Sequence, residues 1–302
     1  QPGVRLLVLL VARPAYLRVA LHPDQVRRIW RIGRELLLGN VFETAATNVD
    51  NVVVGSVAGA AALGAYGFAY NLTALPLFVV ALAVSRVALP VYARLHDRPE
   101  AVGPAFLKAV ELTAWLTALP LGFLAVAGPE VLHVLFGTKW DLVADALRLL
   151  ALHGWLRAVE TASGSVLIAV GQPGLTRRVQ QWQLVVAAAL LVPLVHLGGT
   201  FGAAAAVTTA VALGTSYSLV QSTRRTGAGR GRLLLRMAEA AVGGCAGGAV
   251  GLLVLDRLAG LPALALALLA ATAVWTGAFT LFRQPTVRRA VRLLRAGAPR
   301  PR

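Results

Sequence analysis

Seven polar residues with helical spacing occur in the stretch from Gly33 to Ala58, which is long enough to cross a bilayer. At about 100° per residue they share one face of a helix, and the opposite face carries mainly valine and alanine. The polar residues are Asn40, Glu43, Thr44, Thr47, Asn48, Asp50 and Asn51. Carboxylates at membrane depth are costly and usually mark the path of an ion or a substrate. The stretch therefore indicates transport.

A second polar face is predicted in the stretch 144–170. It consists of His153, Arg157, Glu160 and Gly164, whose spacing of four, three and four residues places them on one side of a helix. With a rise of about 1.5 Å per residue, Glu43 and Arg157 both lie near the middle of the bilayer, and Asp50 lies toward its outer side. An arginine fork at that depth suits a phosphate or a carboxylate.

Two interpretations of these groups are open at this point. Arg157 could pair with Glu160 or with Glu43 to hold the fold together, or the same groups could contact a substrate or a coupling ion. For Asp50 and Asn51, helix packing near the outer interface is an equally good explanation. His153 taken alone is more typical of a hydrogen-bonded core histidine than of a titrating switch.

The composition is that of a polytopic membrane protein. The chain is 57% hydrophobic and only 14% charged, with a mean hydropathy of +0.70, whereas soluble domains are about a quarter charged. Hydropathy predicts an all-α fold of about eight transmembrane helices. The predicted spans are 33–57, 64–90, 104–127, 144–170, 178–197, 200–221, 235–255 and 260–282. Joints containing Gly or Pro separate them, among them Gly128–Pro129 and Gly198–Gly199.

The net charge of +16 follows a topological pattern rather than forming one patch. Arginines cluster before the first span, in every second connection and in the tail, whereas Lys139 and Arg257 represent the other side. The positive-inside rule places the Arg-rich side, and so both ends of this chain, in the cytoplasm. The same residues would attract anionic lipids. Nucleic-acid binding is not expected.

Several chemistries have no counterpart in the sequence. There is no Walker loop for ATP, no His/Cys cluster with metal-ligand spacing, and no paired carboxylates in an outer loop of the kind a glycosyltransferase would need. We therefore expect neither enzymatic activity nor a cofactor. The chain begins with Gln1 rather than Met, and residues 1–32 are interpreted as the remnant of a preceding helix and a cytoplasmic linker.

Residues 48–95 resemble a known group of transporters. An Asp in the first helix (Asp50) is followed by Leu63-Gly64-x-Tyr66 at the start of the next helix and by a closing Pro-x-Tyr at Pro90. A later run, Val134-Leu-Phe-Gly-x-x-Trp140, is similar to that group's outer turn. These motifs resemble polysaccharide flippases of the O-antigen and teichuronic-acid type, within the MATE-related exporter (MOP) superfamily.

The resemblance implies two six-helix bundles around a cavity whose access alternates. Residues 33–222 would form the second bundle, 223–282 two additional helices and 283–302 a basic cytoplasmic tail, with the missing N-terminal lobe as a partner. The substrate would be a lipid-linked oligosaccharide of the undecaprenyl-pyrophosphate type, moved to the outer leaflet of the bacterial plasma (inner) membrane. Arg157 would meet its pyrophosphate, while Glu43 and Asp50 would sense a coupling proton or sodium ion.

Three other functions are less well supported by the sequence. A multidrug antiporter of the same superfamily would need an acidic, aromatic cavity, whereas these helices carry mixed charge and few aromatic residues. A membrane glycosyltransferase or polymerase would need longer outer loops. A scaffold without transport activity would have no use for charges within the membrane.

Overall fold

The computed structural model describes residues 23–95, 98–258 and 260–296, which are helical apart from short turns and contain no strand. The helices are α1 (Pro23–Ala46), α2 (Val49–Val57), α3 (Gly59–Pro76), α4 (Leu82–Arg94), α5 (Pro99–Phe136), α6 (Ala144–Ala169), α7 (Pro173–Thr226), α8 (Arg230–Leu255) and α9 (Leu261–Ala296). A π-helical turn follows Pro76, and a 3-10 turn, Thr138–Val143, precedes α6. The predicted all-α class is confirmed.

Five helical stretches among the described residues are long and apolar enough to cross a membrane. They are Gly59–Arg94, Glu100–Phe136, Pro173–Thr226, Arg230–Leu255 and Leu261–Phe282. The predicted spans 33–57 and 144–170 are also mostly helical, but they carry the charged residues that make them less apolar. The polytopic architecture is thus confirmed, and the exact number of eight spans stays a prediction.

The longest helix, α7, folds back on itself at the predicted Gly198–Gly199 joint. Gly199 has a φ of 53° and a ψ of −127°, a backbone conformation that favours glycine. The joint divides α7 into α7a (residues 173–197) and α7b (residues 200–226). A Cβ atom on Gly202 would lie 1.7 Å from the carbonyl oxygen of Leu194, so the two segments touch immediately after the turn.

Helix α7b runs alongside α6 and is fastened to it by small hydroxyl side chains. Thr200, Thr208 and Thr215 donate to the backbone carbonyls of Leu142, Leu149 and Leu156, which recur every seven residues along the 3-10 turn and α6. Ser163 contacts the hydroxyls of Ser218 and Ser222 at 2.8 and 2.9 Å. Hydrogen bonds of this kind are common between membrane helices. They fix the rotation of α6 and hence the direction in which its charged face points.

The prediction of one continuous helix over 33–57 is wrong, because α1 ends at Ala46 and α2 begins at Val49. The Asn48 N–H bonds to the carbonyl of Ala45, and the Asn48 side chain donates to the carbonyl of Thr44 at 2.7 Å. The Thr47 hydroxyl donates to the carbonyl of Glu43 at 2.9 Å. Side chains of this type compete with the helical ladder and interrupt it. The break falls within the predicted polar face.

The predicted joint at Gly128–Pro129 is also wrong, since α5 continues through it to Phe136. A proline removes one backbone hydrogen bond from a helix without obliging it to end, especially where neighbouring helices pack around it. Helix α1 begins earlier than the predicted span, at Pro23, within the segment predicted as a linker. Residues 1–22 and 297–302, which include the ends of the predicted remnant and tail, lie outside the described residues.

Candidate functional site

The two charged residues predicted at mid-depth are joined directly. Arg157 on α6 contacts Glu43 on α1, with 2.6 Å between its NH2 atom and the carboxylate Oε1. The side chain of Arg157 is only 12% exposed, whereas that of Glu43 is 41% exposed. One partner is therefore held inside the helix bundle, and the other lies at the edge of open space.

Glu160 forms a second, more enclosed partner of Arg157. Its carboxylate lies 3.5 Å from the Arg157 NH1 atom and accepts a 2.8 Å hydrogen bond from the Gln183 amide. The Gln183 amide oxygen lies 3.4 Å from the same NH1 atom, and Gln180 donates to Glu43 at 3.1 Å. We call these five residues the charged cluster. Both ion pairs that the sequence left as alternatives occur together in it.

Two cavities meet at the charged cluster. Cavity A, of about 210 Å³, lies between α1, the end of α6 and the start of α7a, on the side predicted to be cytoplasmic. Cavity B, of about 420 Å³, lies between α1, α2, α3 and α6, toward the opposite side. Glu43 and Arg157 are the two residues that line both cavities. Their ion pair therefore stands at the boundary between two polar spaces.

The predicted polar face of 33–58 does face these spaces, but its members are distributed among them. Asn40 lines cavity A, whereas Asn51 lines cavity B together with Thr47 and Asn48. Thr44 is exposed and lines neither. Neither Asn40 nor Asn51 contacts Arg157 in the hydrogen bonds of the described residues. The break between α1 and α2 turns the later residues toward cavity B.

Asp50 is separate from the charged cluster and is enclosed. Its side chain accepts a 2.8 Å hydrogen bond from the hydroxyl of Tyr66 and a 2.9 Å bond from the backbone N–H of Asn51, and the residue is 1% exposed. A third cavity of about 20 Å³ lies between Asp50, His153 and Arg157. A space of that size can hold about one water molecule. Asp50 is therefore close to the cluster without being paired to it.

His153 is buried, as expected of a core histidine, but it also lines cavities. Its ring lies 5.5 Å from the ring of Tyr70, centroid to centroid, and both residues line cavity B. Gly154, next in sequence, allows the backbone of α3 to approach, because a Cβ atom there would lie 2.8 Å from the carbonyl oxygen of Thr73. The close contact of α3 and α6 places both aromatic rings beside the charged cluster.

The sequence did not identify four residues that belong to the charged cluster or line cavity A. Gln180 and Gln183 are three residues apart on α7a, a spacing that places both on the face toward α1 and α6 and could have identified them. Glu35 and Arg177 form an ion pair at the other end of cavity A. Both belong to stretches that are equally well explained as charged helix ends, so composition could not distinguish them from ordinary charges at the membrane surface.

Comparison with known proteins agrees with this picture. A family described as "Polysaccharide biosynthesis protein" matches residues 1–145. The chain is 27% identical to the lipopolysaccharide biosynthesis protein WzxC of Escherichia coli (strain K12), over 59% of this chain and 35% of that protein. It is 30% identical to the teichuronic acid biosynthesis protein TuaB of Bacillus subtilis (strain 168), over 50% of this chain and 31% of that protein.

The fold matches that of a solved structure, the lipid II flippase MurJ in an inward closed conformation. The TM-score is 0.71 at 14% identity, covering 88% of this chain and 57% of that chain. The chain is thus similar in sequence to polysaccharide biosynthesis proteins and in fold to a flippase. The resemblance predicted from residues 48–95 and from the Val134–Trp140 motif is thereby confirmed, as is the interpretation of the chain as a membrane protein. The chain spans about a third of the length of the curated relatives it matches.

Proposed function

We propose that this chain belongs to a transporter that moves a lipid-linked oligosaccharide, of the undecaprenyl-pyrophosphate type, from the cytoplasmic to the outer leaflet by alternating access. The observation that carries the proposal is Arg157, a guanidinium enclosed within the helices yet lining a polar cavity on each side. A guanidinium forms strong, bidentate hydrogen bonds with phosphate oxygens, especially where water is scarce. The substrate's diphosphate would meet Arg157, and its sugars would occupy space outside these small cavities.

Two carboxylates are proposed to couple transport to a proton or sodium gradient. Glu43 is the exposed partner of Arg157, so its charge changes the strength with which Arg157 attracts an anion. Asp50 is enclosed and hydrogen-bonded by Tyr66, and its gain or loss of a cation would alter the packing of α2 on α3. A small cavity lies between Asp50 and Arg157, the partner of Glu43, so the charge of one carboxylate can influence the other through Arg157.

The setting of the transporter is part of the proposal. The protein would reside in the bacterial plasma membrane with the Arg-rich connections, and both ends of this chain, in the cytoplasm. Apolar residues are exposed on α1 and on the π-helical turn after α3, among them Val41 and Phe78, and Phe78 also lines cavity B. This side would face a further lobe of the complete protein.

The enclosed guanidinium counts against a drug antiporter, because it would repel a cationic substrate.

A reconstitution experiment tests the proposed activity. The complete gene product would be incorporated into liposomes with a fluorescent lipid-linked oligosaccharide, and the labelled lipid reaching the opposite leaflet would be measured by a membrane-impermeant quencher. We expect a transfer rate that depends on an imposed proton or sodium gradient. Transfer no faster than in liposomes without protein, from a preparation that is monodisperse and fully inserted, would contradict the proposal.

A further inference from the structure

Cavity A is bounded at both ends by an ion pair between an arginine and a glutamate of α1. At one end Arg157 pairs with Glu43, and at the other Arg177 pairs with Glu35. The two glutamates are eight residues apart on α1, which corresponds to about 12 Å along the helix. Arg177 lies near the start of α7a, on the side predicted to be cytoplasmic. The same arrangement thus occurs twice along one cavity.

The Arg177–Glu35 pair is not an ordinary surface salt bridge. The side chains of Arg177 and Glu35 are 23% and 17% exposed, and the Arg177 NH1 atom donates a 3.0 Å hydrogen bond to Gln181. A Cβ atom on Gly174 would lie 3.2 Å from the Glu35 carboxylate, so the glycine leaves room for it. An enclosed arginine held in a fixed direction is better prepared to bind an anion than a mobile one at the surface.

Both glutamates retain other partners when they leave their arginines. Glu35 lies 3.6 Å from Arg34, whose side chain is more than half exposed, and Glu43 accepts a hydrogen bond from Gln180. Separating an enclosed ion pair is costly when a charge is left without a partner. Here each displaced carboxylate would keep a partner, so this cost is reduced. Replacement of the carboxylate by a phosphate oxygen would also conserve the charge pairing of the arginine.

We propose that Arg177 is a second anion site, at the cytoplasmic end of cavity A, which binds a phosphate or diphosphate group before Arg157 does. At each arginine the phosphate oxygen displaces a glutamate of α1, so Glu35 and Glu43 act as competing internal ligands. The inference rests on the proposed function and extends it, since it adds a first binding step and a route between two sites. The phosphate is carried on a polyprenyl lipid or is free in solution.

The neighbouring Arg178 provides a matched control. It is adjacent to Arg177 in sequence and equally charged, but its side chain is exposed and does not line cavity A. Its charge is explained fully by the positive-inside pattern. Any effect of lost positive charge on membrane topology or on long-range attraction should therefore be the same for Arg177→Gln and Arg178→Gln.

The test measures phosphate binding to the complete gene product in nanodiscs. Inorganic pyrophosphate is titrated in one arm, and farnesyl diphosphate incorporated into the nanodisc membrane is used in the other. We expect Arg177→Gln to weaken binding about tenfold, the effect of losing one strong charge-assisted hydrogen bond. Arg178→Gln should change it by less than about twofold, as is usual for an exposed charge. Glu35→Gln should strengthen binding, because the competing carboxylate is gone.

The outcomes separate this inference from the proposed function. Equal binding by Arg177→Gln and Arg178→Gln, with a clear loss in Arg157→Gln, would overturn the second site and leave the first intact. No loss in any of the three variants would contradict both. If only pyrophosphate binding depends on Arg177, the site stands with free phosphate as its ligand. Weaker binding by Glu35→Gln would overturn the idea of a competing ligand, since it would show that the carboxylate merely supports the fold.

Discussion

Arg157 and Glu43 come from helices far apart in the sequence, meet at 2.6 Å, and are the two residues that line both polar cavities. The two residues differ in exposure. Arg157 is held in place by Glu160 and Gln183, whereas Glu43 borders open space.

The Glu43–Arg157 pair should show strong energetic coupling. In a double-mutant cycle with Glu43→Gln and Arg157→Gln, we expect a coupling free energy of about 0.5–3 kcal/mol, typical of residues in contact within one network. The exposed Asp145–Arg148 pair on α6, with side chains 75% and 48% exposed, should give less than about 0.5 kcal/mol. Unfolding in sodium dodecyl sulfate measures both. Equal coupling in the two cycles would show that Glu43 contacts Arg157 only loosely.

Asp50 and Tyr66 should have distinguishable roles. Tyr66→Phe removes the hydrogen bond to an enclosed carboxylate, which should lower the free energy of unfolding by about 1–3 kcal/mol. Asp50→Asn should instead abolish the dependence of transport on the imposed gradient, because the amide neither titrates nor carries charge. Transport rates with and without a gradient are the measurement. An unchanged gradient dependence in Asp50→Asn would leave Asp50 as a packing residue.

Filling cavity A should block transport without unfolding the protein. Gly164 lines this cavity, and a Cβ atom there would meet only the Thr176 methyl carbon, at 3.7 Å, so Gly164→Leu can extend into the open space. We expect export to fall strongly while the thermal stability is retained. Gly64→Leu is the control, since Gly64 is exposed and has no neighbour within 4 Å. Normal export by Gly164→Leu would show that the substrate does not pass this cavity.

The contact between α5 and α8 should depend on glycine. A Cβ atom on Gly244 would lie 2.2 Å from the carbonyl oxygen of Ala118, which no side-chain movement can relieve. We expect Gly244→Ala to lower the free energy of unfolding by about 1–3 kcal/mol, the usual cost of overpacking. Gly277→Ala, with no atom within 4 Å of the added carbon, should have little effect. Similar stability of both variants would contradict this close packing.

The sequence predicts helix face better than it predicts contact. The polar faces of α1 and α6 could be assigned from residue spacing, but whether Arg157 meets one carboxylate or both depends on how the two helices are rotated. Long-range hydrogen bonds set the rotation of α6, and no local pattern reveals them. Thr208 on α7b contacts α6, and Ser163 on α6 contacts α7b.

The sequence predicted the helix break that glycine causes at Gly198–Gly199. It did not predict the break that side-chain hydrogen bonds cause at Thr47–Asn48. Gly198–Gly199 adopts a conformation that other residues avoid, so its turn can be read from residue type. The interruption at Thr47–Asn48 arises from side-chain bonds to the backbone, which the same residues do not form in every helix. Glu35 and Arg177 were missed because charges near a helix end are usually explained by topology.

The central claim is that Arg157 binds the anionic group of the substrate. The most direct measurement compares polysaccharide export in cells whose complete protein carries Arg157→Ala, Arg157→Lys or the control Arg148→Ala, with membrane insertion quantified for each. We predict that Arg157→Ala abolishes export at normal insertion, that Arg157→Lys retains a small part of it because a lysine lacks the bidentate fork, and that Arg148→Ala exports normally. Full export by a normally inserted Arg157→Ala protein would contradict the claim.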